Sequence, residues 1–422
     1  MPLAAVLASR GFRVIGVDHD EQRIAQLNSE PREYTEPSLS ALLRASGGRW
    51  SATNSIRDAV VETDATFVVV DTPRTNQSAI SSENVCQATT EAGRALAGKD
   101  SRHLLVLVST AYPGSVMGRV IPSLEQGDKI CGRDFDFCYS PEFVALGSVV
   151  SGFLQPDFTL VGEFDSRAGD RLQAIYEQMY GQRTVHIRMN VPSAEIAKLA
   201  LNFCLVAKIS CANFFAQLCE KVPGANIDHI TRLLLADRRL GEGFLRGGMP
   251  YGGKCFPRDV EALISMESWL DVDAGLPRAM ASTNERRFEE LLRFVVVQAK
   301  ARGDARRLAI AVLGLSFKAD TDETAGSAGL RLVEALRQMD FAIFVHDPAV
   351  RFDFCEPVQQ VADASACLRA GDVVVIATPW TDYVSLPPPL FTGKRVVDGW
   401  RILTESQKAA CETYTALGVG PR

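Results

Sequence analysis

The chain has 422 residues, 46% of them hydrophobic and 23% charged, which is the balance of a globular protein long enough for two or three domains. A net charge of −6 excludes the electrostatic footprint of a nucleic-acid or anionic-membrane partner. Ten cysteines without a C-x-x-C pair, and only five histidines, argue against a zinc site or a disulfide framework and for a reduced, cytoplasmic setting. No uninterrupted apolar run reaches membrane-spanning length, and no basic segment with a cleavage site opens the chain.

Residues Pro2 to Ser9 read as a short helix ended by Gly11, and Phe12 to Asp18 as a buried strand. Asp18 then stands where the acid at the end of a second dinucleotide-fold strand holds the adenosine ribose, or where an acid caps a helix. The Gly-x-Gly-x-x-Gly turn and the strand expected before the first helix do not occur in the sequence. Asp64 to Asp71 and His103 to Thr110 are further buried-strand candidates, ending in the polar turns Thr72-Pro73-Arg74 and Ser109-Thr110. Ligands bind at such strand ends in open α/β sheets, although hydroxyls there also cap turns. Phe135 to Tyr139 runs into Ser140-Pro-Glu-Phe143 and puts Glu142 at another strand end, where a lone Glu is usually just solvated.

From about Val191 the pattern becomes one long helix, with apolar residues at helical spacing from Ala194 to Cys219 and neither Gly nor Pro between them. Lys198 and Asn202 are four apart and share a face. A lysine on so apolar a helix either snorkels or points into a polar site, and Lys208 and Asn213 pose the same choice one face around.

The stretch Tyr251-Gly-Gly-Lys-Cys-Phe-Pro-Arg-Asp259 sets Cys255 after two glycines and within four residues of an arginine and a carboxylate. Glycines let backbone approach a ligand, Pro257 biases Phe256 towards an extended conformation, and a neighbouring cation favours the thiolate. Cys255 is therefore a candidate nucleophile, set against the alternative of a buried cysteine in a tight turn.

Helix continues to about Lys300. After Arg306-Arg307 a second α/β unit begins, with strands at Leu308–Leu315, Phe341–His346, Gly371–Thr378 and Arg395–Val397, and a helix at Ser327–Met339. The fold class expected is α/β, with two Rossmann-like doubly wound domains (1–190 and 301–422) joined by a central helical domain (191–300).

Taken in order, Gly11 to Asp18, Glu36-Pro37, Thr72-Pro73, Ser109-Thr110, Ser140-Pro-Glu-Phe143, Glu195/Lys198/Asn202, Gly252-Gly253 with Cys255, Gly314-Leu-Ser-Phe-Lys318, Asp347-Pro348 and Asp398-Gly399 resemble the UDP-glucose/GDP-mannose dehydrogenase family over nearly the whole chain. The resemblance implies a four-electron oxidation of a UDP-sugar 6-hydroxyl with two NAD molecules at one active site. It implies that Cys255 forms a thiohemiacetal and then a thioester, that Lys198 and Asn202 steady the oxyanion, that Asp259 and Thr110 hold the catalytic water, and that Glu142 is the base for hydrolysis. It further implies cofactor contacts at Asp18, Thr72, Pro73, Ser109 and Thr110. Substrate contacts are implied at Phe143, Phe244, Leu245, Arg246, Tyr251, Gly252, Lys318 and Arg401, with Arg239 reaching the neighbouring subunit of a homodimer or higher oligomer.

The sequence departs from the family pattern at three places besides the glycine turn. Ala325 takes the place of an arginine that reaches the cofactor, Arg258 that of a lysine, and Leu146 that of an acid found in some relatives. Without its first strand the cofactor sheet should lose a central member and expose apolar edges. Met1-Pro2-Leu3-Ala4 resembles the residues that directly follow the glycine turn, which predicts that the reading frame upstream of Met1 encodes that strand and turn. The substrate expected is UDP-glucose, with a UDP-N-acetyl-hexosamine as the alternative. A reading of another class is a non-catalytic relative that binds UDP-sugar or a partner subunit.

Overall fold

The computed structural model describes residues 1–29, 34, 36, 38–73, 80–241, 243–301, 308–339 and 341–421; Pro37, Arg74, Arg306 and Arg307, named above, lie outside these. The chain forms two compact units, Met1–Leu201 and Asn202–Arg422.

The first unit carries strands β1 (Val14–Val17), β2 (Trp50–Thr53), β3 (Ala65–Val68), β4 (Leu104–Leu107), β5 (Asp136–Tyr139), β6 (Phe158–Glu163) and β7 (Val185–Asn190). β1 and β2 pair in parallel as a sheet of their own, and β3 to β7 form a five-stranded sheet in sequence order. Its pairs are parallel except β5 with β6. The strands of this unit are thus divided between a two-stranded and a five-stranded sheet. The two sides of the larger sheet explain the unbroken apolar runs: a strand covered on both faces needs no alternation. Leu105, Leu107, Phe137 and Tyr139 pack with Val85, Ala92 and Leu124 on one side. Leu104, Val106 and Cys138 pack with Leu3, Val6 and Leu7 of the helix Pro2–Ser9, and with Leu172 and Tyr176, on the other.

The second unit carries β8 (Ala309–Leu313), β9 (Ala342–His346), β10 (Val358–Gln360), β11 (Val373–Ile376), β12 (Arg395–Asp398) and β13 (Thr413–Ala416). All six pair in parallel, in the order β10-β9-β8-β11-β12-β13. This is the doubly wound order 3-2-1-4-5-6, whose ligand crevice opens at the carboxyl ends of the first and fourth strands, here β8 and β11. Ile310, Val312 and Val375 pack on the helix Gly275–Lys300 through Leu291 and Val295. Ala311, Leu313 and Val374 pack on the opposite side with Cys367, Tyr383 and Phe391.

One 31-residue helix, Val191–Lys221, runs from the first unit into the second. By length and composition it is apolar enough to cross a membrane, contrary to the expectation that no apolar run reaches that length. It nevertheless buries Glu195, Lys198, Asn202 and Asn213, a polar load that a helix in a protein core can satisfy with partners and one facing lipid cannot.

A local expectation fails at Phe256. It is not extended but lies in the helix Cys255–Ser265. Pro257 falls in the first turn, where no intrahelical N–H bond is due, so the proline is compatible with the helix and the pre-proline bias yields to it.

Candidate active site

In the second unit Cys255 is the first residue of its helix, is exposed, and stands where uncapped backbone N–H groups favour negative charge. All ten cysteines are thiols. One turn further on, Asp259 is buried and held from two sides. Asn202 donates from Nδ2 to Oδ2 at 2.5 Å, and Arg258 donates from Nε to Oδ1 at 2.9 Å. Asn202 is itself buried, so the carboxylate has one position available to it. Arg258 brings two nitrogens of one planar guanidinium to that carboxylate, a fork that a lysine would lack.

The two glycines before Cys255 have a steric reason. A methyl on Gly252 would overlap the carbonyl oxygen of Gly326, and one on Gly253 would lie 2.9 Å from the Phe317 ring. Gly253 also has φ +82°, in the left-handed region. The cysteine segment therefore lies against the loop after β8, which carries Lys318. Gly253 N–H donates to the Ala325 carbonyl at 3.0 Å, and Lys254 pairs with Glu323 at 2.7 Å. Burial alone would raise the Glu323 carboxyl, but the bond from Lys254 and the N–H groups of Ala325 and Thr324 outweigh it and hold it below the usual carboxylate range.

The motif acids Asp347 and Asp398 are fully buried at the ends of β9 and β12. Asp347 accepts from the N–H groups of Leu315, Ser316, Ala349 and Val350, and Asp398 from those of Trp400, Arg401 and Leu403. Each carboxylate thus replaces a run of missing backbone partners and shapes the crevice edge. Lys318 is half-buried on the β8 loop.

Of the other substrate candidates, Leu245 is buried, and Phe244, at φ +60°, sets its ring 6.1 Å from Phe256, as Tyr251 does at 6.4 Å. Arg246 lies 5.5 Å over the Trp400 ring. Arg401 gives Nε and a terminal nitrogen to Asp228, both at 2.9 Å, and binds the carbonyls of Gly247 and Leu417. Its present bonds are structural. Arg239 is exposed and pairs with Asp237 at 2.5 Å.

In the first unit Lys198 does not snorkel. Its ammonium is buried, donates to the Glu142 carbonyl at 2.5 Å and lies 4.5 Å over the Phe143 ring. Phe143 in turn meets Phe158 at 5.0 Å. One turn earlier, the buried Glu195 accepts from the N–H groups of Gly114 and Val116, both at 2.9 Å, and so ties the segment after Thr110 to this helix. Burial raises the Glu195 carboxyl, and these backbone bonds only partly offset it. In the sequence Glu195 is visible only as a motif letter; an acid among apolar residues of a helix is the signal it carries.

Asp18 follows β1. Its Oδ1 accepts from Asp20 N–H at 3.1 Å and its Oδ2 lies 3.3 Å from Arg23, while Asp20, not Asp18, caps the next helix. Thr72, Ser109 and Thr110 are buried at the ends of β3 and β4, and Ser109 bridges to both N–H and C=O of Val70. Pro73 is exposed and accepts from Ser81 N–H at 2.8 Å. The helix Pro2–Ser9 has no side-chain cap on its first turn. An acid after β1, polar strand ends and a helix start without a side-chain cap are groups that a dinucleotide could use apart from a glycine turn.

Profiles of the UDP-glucose/GDP-mannose dehydrogenase family match residues 1–180 (NAD binding domain), 192–286 (central domain) and 311–405 (UDP binding domain). The chain is 32% identical to UDP-glucose 6-dehydrogenase AglM of Haloferax volcanii, over 96% of this chain and 95% of that protein. It is 29% identical to the GDP-mannose 6-dehydrogenase of Pseudomonas aeruginosa, over 94% and 92%. Among solved structures, a UDP-glucose dehydrogenase from Pyrobaculum islandicum matches with TM-score 0.89 at 30% identity, covering 99% of this chain and 95% of that one. A UDP-D-ManNAc dehydrogenase from Pyrococcus horikoshii matches with TM-score 0.84 at 25% identity, covering 99% and 96%. The chain therefore belongs to the UDP-glucose/GDP-mannose dehydrogenase family, the NAD-dependent nucleotide-sugar dehydrogenases that act on CH–OH groups.

Proposed function

We propose that this protein oxidises the 6-hydroxyl of a UDP-sugar to the carboxylate, with UDP-glucose as the sugar nucleotide and Cys255 as the covalent nucleophile. The observation that carries this reading is the exposed Cys255 thiol at a helix start, one turn from an Asp259 carboxylate fixed by Asn202 and Arg258. UDP-glucose is favoured because the Haloferax and Pyrobaculum relatives carry that activity in their names.

NAD, when bound, accepts a hydride in each of the two oxidations; Asp18, Thr72, Pro73, Ser109 and Thr110 are the residues assigned to hold it. The Cys255 thiolate attacks the C6 aldehyde to give a thiohemiacetal, because a free aldehyde carries no hydroxyl from which to be oxidised again. Lys198 and Asn202 supply positive charge and an N–H donor to the oxygen that becomes negative in that addition, and both are already buried and held in place. After oxidation to the thioester, Asp259 and Thr110 orient a water and Glu142 takes its proton, releasing the carboxylate and the thiol. Phe143, Phe244, Leu245, Arg246, Tyr251, Gly252, Lys318 and Arg401 are assigned to the UDP-sugar.

In this reading the chain has three functional domains, 1–190, 191–300 and 301–422, and works in the cytoplasm as a homodimer. Phe214, Leu218 and Val222 recur at helical spacing yet are exposed, and Leu233 and Leu240 follow, also exposed. A soluble monomer seldom leaves so many large apolar side chains in water, and a second copy of the chain would cover them. From such a dimer Arg239 would reach the partner's substrate.

The test is the stoichiometry of NADH formed per sugar, on a panel of UDP-glucose, UDP-N-acetyl-hexosamines and GDP-mannose. Two NADH per UDP-glucose, with UDP-glucuronate as product, is expected. Preference for an N-acetylated sugar would move the substrate assignment, and UDP-sugar binding with no NADH would establish a non-catalytic relative.

A further inference from the structure

The backbone between Arg246 and Lys254 belongs to no helix or strand, so its polar groups must find partners elsewhere. They find them in two buried amide side chains. Asn284, on the helix Gly275–Lys300, accepts the Tyr251 N–H on Oδ1 at 2.8 Å and donates from Nδ2 to the Tyr251 carbonyl at 3.1 Å. Asn213, on the helix Val191–Lys221, accepts the Gly248 N–H at 2.8 Å and donates to the Met249 carbonyl at 3.1 Å. Each amide reads one donor and one acceptor of the loop, as a neighbouring strand would. Arg287, fully buried, adds a bond from Nε to the Gly248 carbonyl and is held in turn by Glu220 at 2.6 Å and Glu290 at 3.0 Å.

We propose that Asn213 and Asn284 are positioning residues for the reaction: they fix Gly248 to Tyr251 and thereby fix the point at which the Cys255 helix begins. Between Tyr251 and Cys255 stand only Gly252, Gly253 and Lys254, and two glycines cannot hold a conformation by themselves. The clamp on Tyr251 anchors the segment upstream of the thiol, together with the Gly253–Ala325 bond and the Lys254–Glu323 pair. The catalytic half of the inference rests on Cys255 being the nucleophile; the structural half does not.

The experiment compares Asn284→Ala, Asn213→Ala and Asn284→Asp with the unaltered full chain. The last variant keeps the acceptor for Tyr251 N–H but turns an acceptor towards the Tyr251 carbonyl. Three quantities are read: the alkylation rate of Cys255 by iodoacetamide relative to the exposed Cys355, followed by peptide mass spectrometry; kcat and KM for UDP-glucose; and the melting temperature. The expected result is a Cys255 alkylation rate altered at least about threefold with Cys355 unchanged, and a kcat lowered about tenfold at nearly constant KM. An unchanged Cys255 rate and kcat in any folded alanine variant overturns the inference. A change shared equally by Cys255 and Cys355 also overturns it, since that is general loosening. Cys255→Ser run alongside separates the two claims: if it retains turnover the nucleophile assignment fails, while the Cys255 alkylation rates still decide the clamp.

Discussion

Replacing Gly252 by alanine isolates the contact between the cysteine segment and the loop after β8. Gly252 is not among the positive-φ glycines, so an added methyl brings no backbone strain and the effect is steric alone. That methyl would overlap the Gly326 carbonyl oxygen and lie 3.0 Å from its carbon. An ordinary C···O approach is about 3.3–3.6 Å, so the two loops must part by about 1 Å. Cys255 begins its helix three residues further on, and a misplacement of about 1 Å at a reacting group costs on the order of a hundredfold in rate. Overpacking of this kind costs about 1–3 kcal/mol of stability, too little to unfold a typical domain. The assay is initial-rate NADH formation with UDP-glucose, paired with a melting curve. A kcat lowered about tenfold to a hundredfold in a folded protein is expected. A folded Gly252→Ala variant with unaltered kcat would show that the contact with Gly326 does not place the thiol. Gly118→Ala is the control: it lies in a helical segment, meets nothing within 4 Å, and should leave stability unchanged or slightly raised.

Five further outcomes are expected. Cys255→Ser abolishes acid formation, because a hydroxyl is a poor nucleophile near neutral pH, and Lys198→Ala lowers kcat more than it raises KM, both measured by NADH yield and product analysis. Asp136 is fully buried against Arg171 (2.7 Å), Arg102 (2.8 Å) and Arg167 (3.0 Å). Burial alone would raise its carboxyl, but the three guanidinium bonds hold it below the usual range. Its contribution is thus complete at neutral pH and lost as pH falls through the folded value, under the ordinary carboxylate range, and Asp136→Asn should cost about 3–5 kcal/mol in urea unfolding at neutral pH. His103 is lowered from 6.5 to about 4, by burial first and then by Lys99. The unfolded chain binds that proton at higher pH than the folded one, so stability falls as pH drops from 6.5 towards about 4, and His103→Gln should flatten that part of a melting-temperature profile. Phe214→Glu with Leu218→Glu should convert a dimer to a monomer in light scattering; a monomeric unaltered protein would remove the proposed interface.

Of the strands that sequence reading found, β4, β8 and β11 are buried along nearly their whole length, where the apolar run is continuous, whereas β1 and β3, also expected to be buried, are mostly half-buried. It did not single out β10 or β13, which lie at the edges of their sheet and are three or four residues long. Local rules misled at Phe256, where helix formation overrode the pre-proline bias. At the candidate site, Cys255 and its neighbours stood out because glycine, proline and charge are concentrated in nine residues. Asn284 and Arg287 did not, because in a helix as polar as Gly275–Lys300 a buried amide or guanidinium looks like any solvated side chain until the packing shows which face is inside. The buried acids Asp347 and Asp398 were visible as motif letters, but their work as acceptors for backbone N–H groups belongs to the fold.

The central claim is a covalent bond between the sugar and Cys255. It is tested most directly with a Glu142→Gln variant, in which loss of the proposed base should slow thioester hydrolysis and let the adduct accumulate. Acid-quenched enzyme, taken during turnover with UDP-glucose and NAD, would be digested and the Cys255 peptide weighed by mass spectrometry. The account predicts a UDP-glucuronyl mass on that peptide and none when Cys255 is serine. An unmodified Cys255 peptide in the slowed enzyme, together with normal acid formation by Cys255→Ser, would contradict it.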